Sequence, residues 1–126
     1  MIEVFLERAR QLASARDLLR EDAAFSSVTA LLSVHTAIAL NDALLIRLSG
    51  ARFRGEDHMS AARETRQQCR SRHLDDSGVK QLHTLLSSKS NVSYGDSEVT
   101  LKIALALSVA SDRFEVWVYA RLKEVA

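Results

Sequence analysis

Four histidines, one cysteine and a run of arginines are the residues of this 126-residue chain with the most chemistry in them. His35 and Asp42 lie on the stripe Val28, Leu31, Leu32, His35, Ile38, Ala39, Asp42, Leu45, Ile46. Their separation is nearly two helical turns, so both polar groups point in the direction expected to be buried. About 10 Å of helix axis keeps them from acting as a direct acid–base pair. Each is expected instead to be a buried polar group, satisfied by a hydrogen bond to a neighbouring helix. The sharpest local feature is Gly50-Ala51-Arg52-Phe53-Arg54-Gly55-Glu56-Asp57-His58. Arg52, Arg54 and His58 converge there on a loop entering a helix, where free backbone N–H groups favour anions, and a phosphate-bearing ligand suits that chemistry. Glu56 and Asp57 compete for the same donors, so capping accounts for much of the segment. Arg63, Arg66 and Arg70, at i, i+3 and i+7, share one helical face. Such a stripe usually faces solvent; nucleic-acid backbone binding is the alternative, without stacking aromatics nearby to select bases.

Other chemistries lack their patterns. Neither C-x-x-C nor H-E-x-x-H occurs, and His35, His58, His73 and His83 are scattered over separate segments, so no metal is expected. Gly50 and Gly55 follow a helix rather than a strand and no G-K-[ST] is present, which removes a phosphate loop. G-x-S-x-G, the strained elbow of a serine nucleophile, is missing. No cofactor is implied.

These residues must be positioned by helices. With four glycines, no proline and seven aromatics, the chain has few turn formers for a many-stranded sandwich or barrel. Hydrophobic residues at 47% and charged residues at 26% are those of a folded globular chain, and the length suits one domain. Periodicity predicts a first helix from Glu3 to about Asp22, with Phe5, Ala9, Leu12, Ala15 and Leu19 inward and Arg16 among the outer charges. A second helix runs from Phe25 to Leu48. The nineteen residues from Ala23 to Asn41 within and before it carry no formal charge, but seven of them are Ser, Thr, His or Asn, which argues for a central or interface helix over a membrane span. A third helix is predicted from Glu56 to about Ser71 on the thin stripe Met59, Ala62, Cys69. A short fourth ends near Ser88, Lys89 to Ser97 reads as loop, and a long last helix from Glu98 to about Val125 carries Val99, Ile103, Leu107, Ala110, Phe114 and Trp117 inward. The expected architecture is all-α, an up-and-down bundle of four to five helices. A lone cysteine and no secretory segment at the start read as cytoplasmic. Residues 47 to 72 hold seven arginines against three acidic residues, so the formal net charge of +1 hides a basic region.

In this order the segments resemble the HEPN domain over roughly residues 25 to 122. The text Val34-His35-Thr36-Ala37-Ile38-Ala39-Leu40-Asn41-Asp42-Ala43-Leu44 resembles the second helix of a small-residue-rich bacterial subgroup. Gly50-x-Arg52-x-x-Gly55-x-Asp57-His58 resembles its connection into the third helix. Leu85-Leu86-Ser87-Ser88-Lys89-Ser90-Asn91-Val92-Ser93-Tyr94 resembles the leucine, basic residue and tyrosine before its final helix. The resemblance implies a homodimer, sometimes working beside a nucleotidyltransferase or another operon partner, and Arg52, Arg54, His58, Lys89 and Tyr94 as ligand-binding residues. The resemblance implies the pattern of its active members, many of them metal-independent ribonucleases with an Arg, four to six intervening residues and a His near the start of the last helix. Here Lys89 holds the basic position and no histidine follows His83. Arg52 with His58, and Arg66 with His73, match the spacing earlier in the chain. The implied protein is a non-catalytic dimer that binds a nucleotide or RNA phosphate or an operon partner. A ribonuclease using Arg52 and His58 is the alternative, and a structural adaptor the third.

Overall fold

The computed structural model describes residues 1–53, 55 and 57–125. Five helices make up the fold: α1 (Ile2–Leu19), α2 (Ser26–Ser49), α3 (His58–Ser71), α4 (Val79–Tyr94) and α5 (Leu101–Glu124), with one 3₁₀ turn, Ala23–Phe25, before α2. The described residues contain no strand. The all-α bundle read from composition is the fold observed. Arg54 of the predicted loop and Glu56, the predicted start of the third helix, lie outside the described residues.

Each boundary has a local cause. Asp22 accepts from the Ala24 N–H at 3.0 Å and turns the chain from α1 into α2. Gly50 adopts φ +84°, a left-handed conformation cheap for glycine, and its N–H closes the last turn of α2 on the Ile46 carbonyl. Asp57 caps α3 and Thr100 caps α5, each accepting a backbone N–H from the first turn. Helix α3 closes with the Leu74 N–H on the Cys69 carbonyl and the His73 N–H on the Arg70 carbonyl, a Schellman pattern with His73 at the left-handed position, φ +57°. Helix α4 runs nearly two turns beyond the predicted end near Ser88, and takes in Lys89 and Tyr94 where a loop was expected. Serines and an asparagine make that stretch read as loop. The Ser87 and Ser88 hydroxyls instead bond back to the carbonyls of His83 and Thr84, and so remain compatible with a helix.

Helix α2 is the axis of the bundle and touches all four others. Its most buried residues include Ala30, Val34, Ala37, Leu40, Leu44 and Leu48, together with Ser33, Thr36 and Asn41. The predicted stripe is rotated from this set: Val28 is exposed, and Leu31, His35, Ile38 and Asp42 are half-buried. The physical reason is size. Small residues permit close approach of α1 and α5, so the core face follows Ala30, Ser33 and Ala37 together with Val34, Leu40 and Leu44, and Val28, Leu31 and Ile38 fall outside it. The same correction applies on α5, where Ala104 is buried and Ile103 is 46% exposed. The stretch Ala23–Ser49 is long and apolar enough to cross a membrane, with mean hydropathy 1.6 in its most apolar window, yet half of that window is buried inside the bundle.

Arg16, expected on the outer face, is 1% exposed. Its guanidinium donates to the Ser111 hydroxyl at 2.7 Å, to Asp17 at 2.9 Å and to Glu115 at 3.0 Å, and lies 2.8 Å from Asp112. The Ser111 hydroxyl donates in turn to the Ser33 carbonyl at 2.9 Å, so one network ties α1, α5 and α2. Arg20 extends the network with two bonds to Asp112.

Candidate functional site

One side of α2 carries the chemistry. Helical spacing puts His35 and Asp42 on that side, and the chain after Gly50 returns Arg52 and His58 to it. Asp42 and His58 line one narrow slot with Ile38, Asn41, Ala61, Leu82 and Leu86. The slot measures about 10 Å³, room for one water and no ligand. Beside it the buried Thr65 hydroxyl donates to the Asn41 carboxamide at 2.5 Å, locking α3 on α2.

Burial pushes the Asp42 carboxyl above its ordinary range, and the charges of Arg52, His58 and Arg8 pull partly the other way. Burial likewise lowers His35, and the charges of Lys89 and His58 lower it further. Asp42 thus feels the charges of Arg52, His58 and Arg8, and His35 those of Lys89 and His58. The Arg8 and Arg52 guanidiniums both lie over the Phe5 ring, 5.1 and 5.7 Å from its centroid. A cation–π contact of this kind holds a flexible arginine in place.

His35 also faces the other way, into an open groove of about 370 Å³ between the start of α2 and the end of α4. The groove is lined by Ser27, Val28, Leu31, His35, Val92, Ser93 and Tyr94. Tyr94, 82% exposed, stands at its edge. The residues singled out in sequence thus share one side of the molecule without sharing one cleft: His58 with Asp42 in the slot, Tyr94 with His35 in the groove, and Arg52 on Phe5.

Two expectations are corrected. His35 and Asp42 are half-buried rather than buried, and among the described residues neither side chain hydrogen-bonds another helix. At the α3 start a carboxylate already stands where an anion was expected: Asp57 accepts from the Met59 N–H and from the Ser60 hydroxyl, both at 3.0 Å. Those bonds hold the Asp57 carboxyl below its usual range.

Sequence reasoning missed Arg8 and Phe5, since nothing in the spacing of α1 connects them with residue 52; only the folding of α1 against α2 brings them together. Asn41 carried a weak signal as a polar neighbour of Asp42. Among the described residues no three His, Cys, Asp or Glu side chains gather as a metal would require. Cys69 is fully buried and burial pushes its thiol up to about 11, so it is a packing residue. Acid–base catalysis needs a base in hydrogen-bond reach of an orienting group. Electrostatic attraction of an anion needs only the cations. Compared with protein-family models and with curated proteins, the chain matches none.

Proposed function

We propose that this chain is a HEPN-like, non-catalytic homodimer that holds phosphates of a nucleotide or of RNA at two points along α2, Arg52 on the side of Asp42 and His58 and Lys89 on the side of His35 and Tyr94. The supporting observation is the convergence on one side of α2, where the cations Arg8, Arg52 and Lys89 act on Asp42 or on His35 from three different elements. Asp42, half-buried, is the carboxylate that Arg8 and Arg52 act on, and Lys89 acts on His35 instead. The excess is positive, and an anion completes it. Binding is favoured over cleavage because no histidine follows His83, where the resemblance places that of the nuclease pair.

The test is equilibrium binding of a fluorescent nucleotide and a short single-stranded RNA across a salt series, with EDTA present and the RNA checked for cleavage. Affinity should fall steeply with salt, and Arg52→Ala and Lys89→Ala should each reduce the slope of log affinity against log salt by about 0.7 to 0.9, since each leaves one phosphate un-neutralised. Cleavage abolished by His58→Ala would make the protein a ribonuclease. Salt-insensitive absence of binding to both probes would leave a protein adaptor.

A further inference from the structure

The outer face of α3 has no part in the cluster just described. Arg63, Arg66 and Arg70 stand along it and, with Gln67 and Ser71, line an open groove of about 580 Å³. The three guanidinium side chains are 72%, 43% and 69% exposed. An ordinary solvated helix face carries acidic partners one turn away. Here the counter-charges come from outside the helix. Asp76 accepts from Arg70 at 2.8 Å and lies 3.7 Å from Arg66, and Asp57 reaches Arg63 only at 4.0 Å. One carboxylate therefore serves two arginines. The Arg66 Nε is the atom nearest Asp76, but at 3.7 Å it makes no hydrogen bond, so Asp76 engages Arg70 more closely than Arg66.

We infer that this face of α3 is a backbone track for RNA: Arg63, Arg66 and Arg70 each take a phosphate of a polynucleotide. The inference rests on the phosphate-binding reading above and extends it to a row of consecutive phosphates. Arginine suits the task because its planar fork pairs with phosphate through two hydrogen bonds. The row spans about 10 Å of helix axis, enough for consecutive contacts rather than one. An acidic protein partner fits less well. Protein interfaces depend on apolar and aromatic anchors in their centre, and every side chain lining this groove is polar. The same absence of a stacking ring makes the track indifferent to base sequence.

The experiment compares a fluorescent mononucleotide with a twelve-nucleotide single-stranded RNA on the full-length protein. The triple variant Arg63→Ala/Arg66→Ala/Arg70→Ala should bind the mononucleotide as the wild type does. Its affinity for the RNA should fall by at least tenfold, and its salt slope by about 2, three phosphates at about 0.7 each. The charge-keeping Arg63→Lys/Arg66→Lys/Arg70→Lys should retain most of the slope. Asp76→Asn, which releases two arginines, should raise RNA affinity, a gain that misfolding cannot produce. RNA bound no more tightly than mononucleotide, and unchanged by the alanine variant, would overturn the track while leaving the cluster. RNA binding abolished in the alanine variant but unaffected by Arg52→Ala would uphold the track and overturn the cluster. Binding of polyglutamate in place of RNA would overturn the track in favour of an acidic protein partner, and binding of neither nucleic-acid probe would overturn both readings.

Discussion

Arg16 and Asp42 show two outcomes of placing a charge inside a small bundle. Burial disfavours the Arg16 cation, but bonds to Asp17 and Glu115 and the charge of Asp112 outweigh that cost and keep it firmly protonated. Arg16→Ala should destabilise the protein by about 2–3 kcal/mol, below the about 3–5 kcal/mol of a fully buried pair, because its carboxylates remain open to water. Urea denaturation measures this; a loss within about 0.5 kcal/mol would mean that the network contributes as little as a surface ion pair. Asp42 is the opposite case. A carboxyl whose value is raised by folding holds its proton more tightly folded than unfolded, so its contribution is present at acid pH and lost as pH rises through the raised value. Asp42→Asn should therefore stabilise the fold at neutral pH, and the gain should vanish where the wild-type carboxyl is protonated in both states. An equal gain at both pH values would assign the effect to packing instead. His35, lowered by burial and then by Lys89 and His58, has the reverse sign: its contribution is intact above about 6.5 and declines as pH falls through its lowered value.

At the scale of elements, packing size decides which face is core. Leu44→Ala and Leu107→Ala should each cost about 2–5 kcal/mol, whereas Ile103→Ala should cost less than about 1 kcal/mol, because Ile103 is largely outside the core. Thermal or urea melts of the three variants distinguish this assignment from the periodicity of large apolar residues, which would make all three alike. The end of α3 offers another test. His73 holds a left-handed φ that costs a side-chain-bearing residue about 1–2 kcal/mol, so His73→Gly should raise stability by about 1 kcal/mol or slightly less. A lower melting temperature would show that the imidazole makes a compensating contact. Helix number, order and most boundaries were legible in the sequence because caps and glycines announce themselves: Asp57 before α3 and Gly50 after α2 are local signals. The phase of α2 was not legible, since a helix apolar nearly all round has no polar face to set it. The extra turns of α4 were hidden by Ser87, Ser88, Ser90 and Asn91, whose propensity is overridden where Leu85, Leu86 and Val92 pack on the core. Of the candidate site, the residue types were legible and their placement was not, because Arg8 meets Arg52 on Phe5, and Lys89 comes to His35, only through the packing of α1, the loop and α4 on α2.

For the whole molecule, the half-buried apolar margin of α2 bears on assembly. Val28 is exposed in the groove that Tyr94 borders, and Phe25 is exposed three residues before it on the same charge-free stretch of chain. The proposed homodimer buries this surface, so sedimentation should give about twice the chain mass, and Val28→Glu should return the protein to one chain mass with its helical content intact. A wild-type monomer at micromolar concentration would remove the dimer from the proposal. Another close approach bears on how such changes can be followed. A Cβ on Gly78, at the entry to α4, would collide with the Trp117 ring, and Phe114 stacks on the same indole at 5.6 Å between centroids. Trp117 is the only tryptophan in the chain and is 7% exposed. Its emission is therefore a single-site optical gauge of whether the α3–α4 connection is seated against α5. The blue-shifted light of a dry indole should persist as long as that joint is closed and move to the red when it opens, at urea concentrations where far-ultraviolet dichroism still registers intact helices if the joint gives way first.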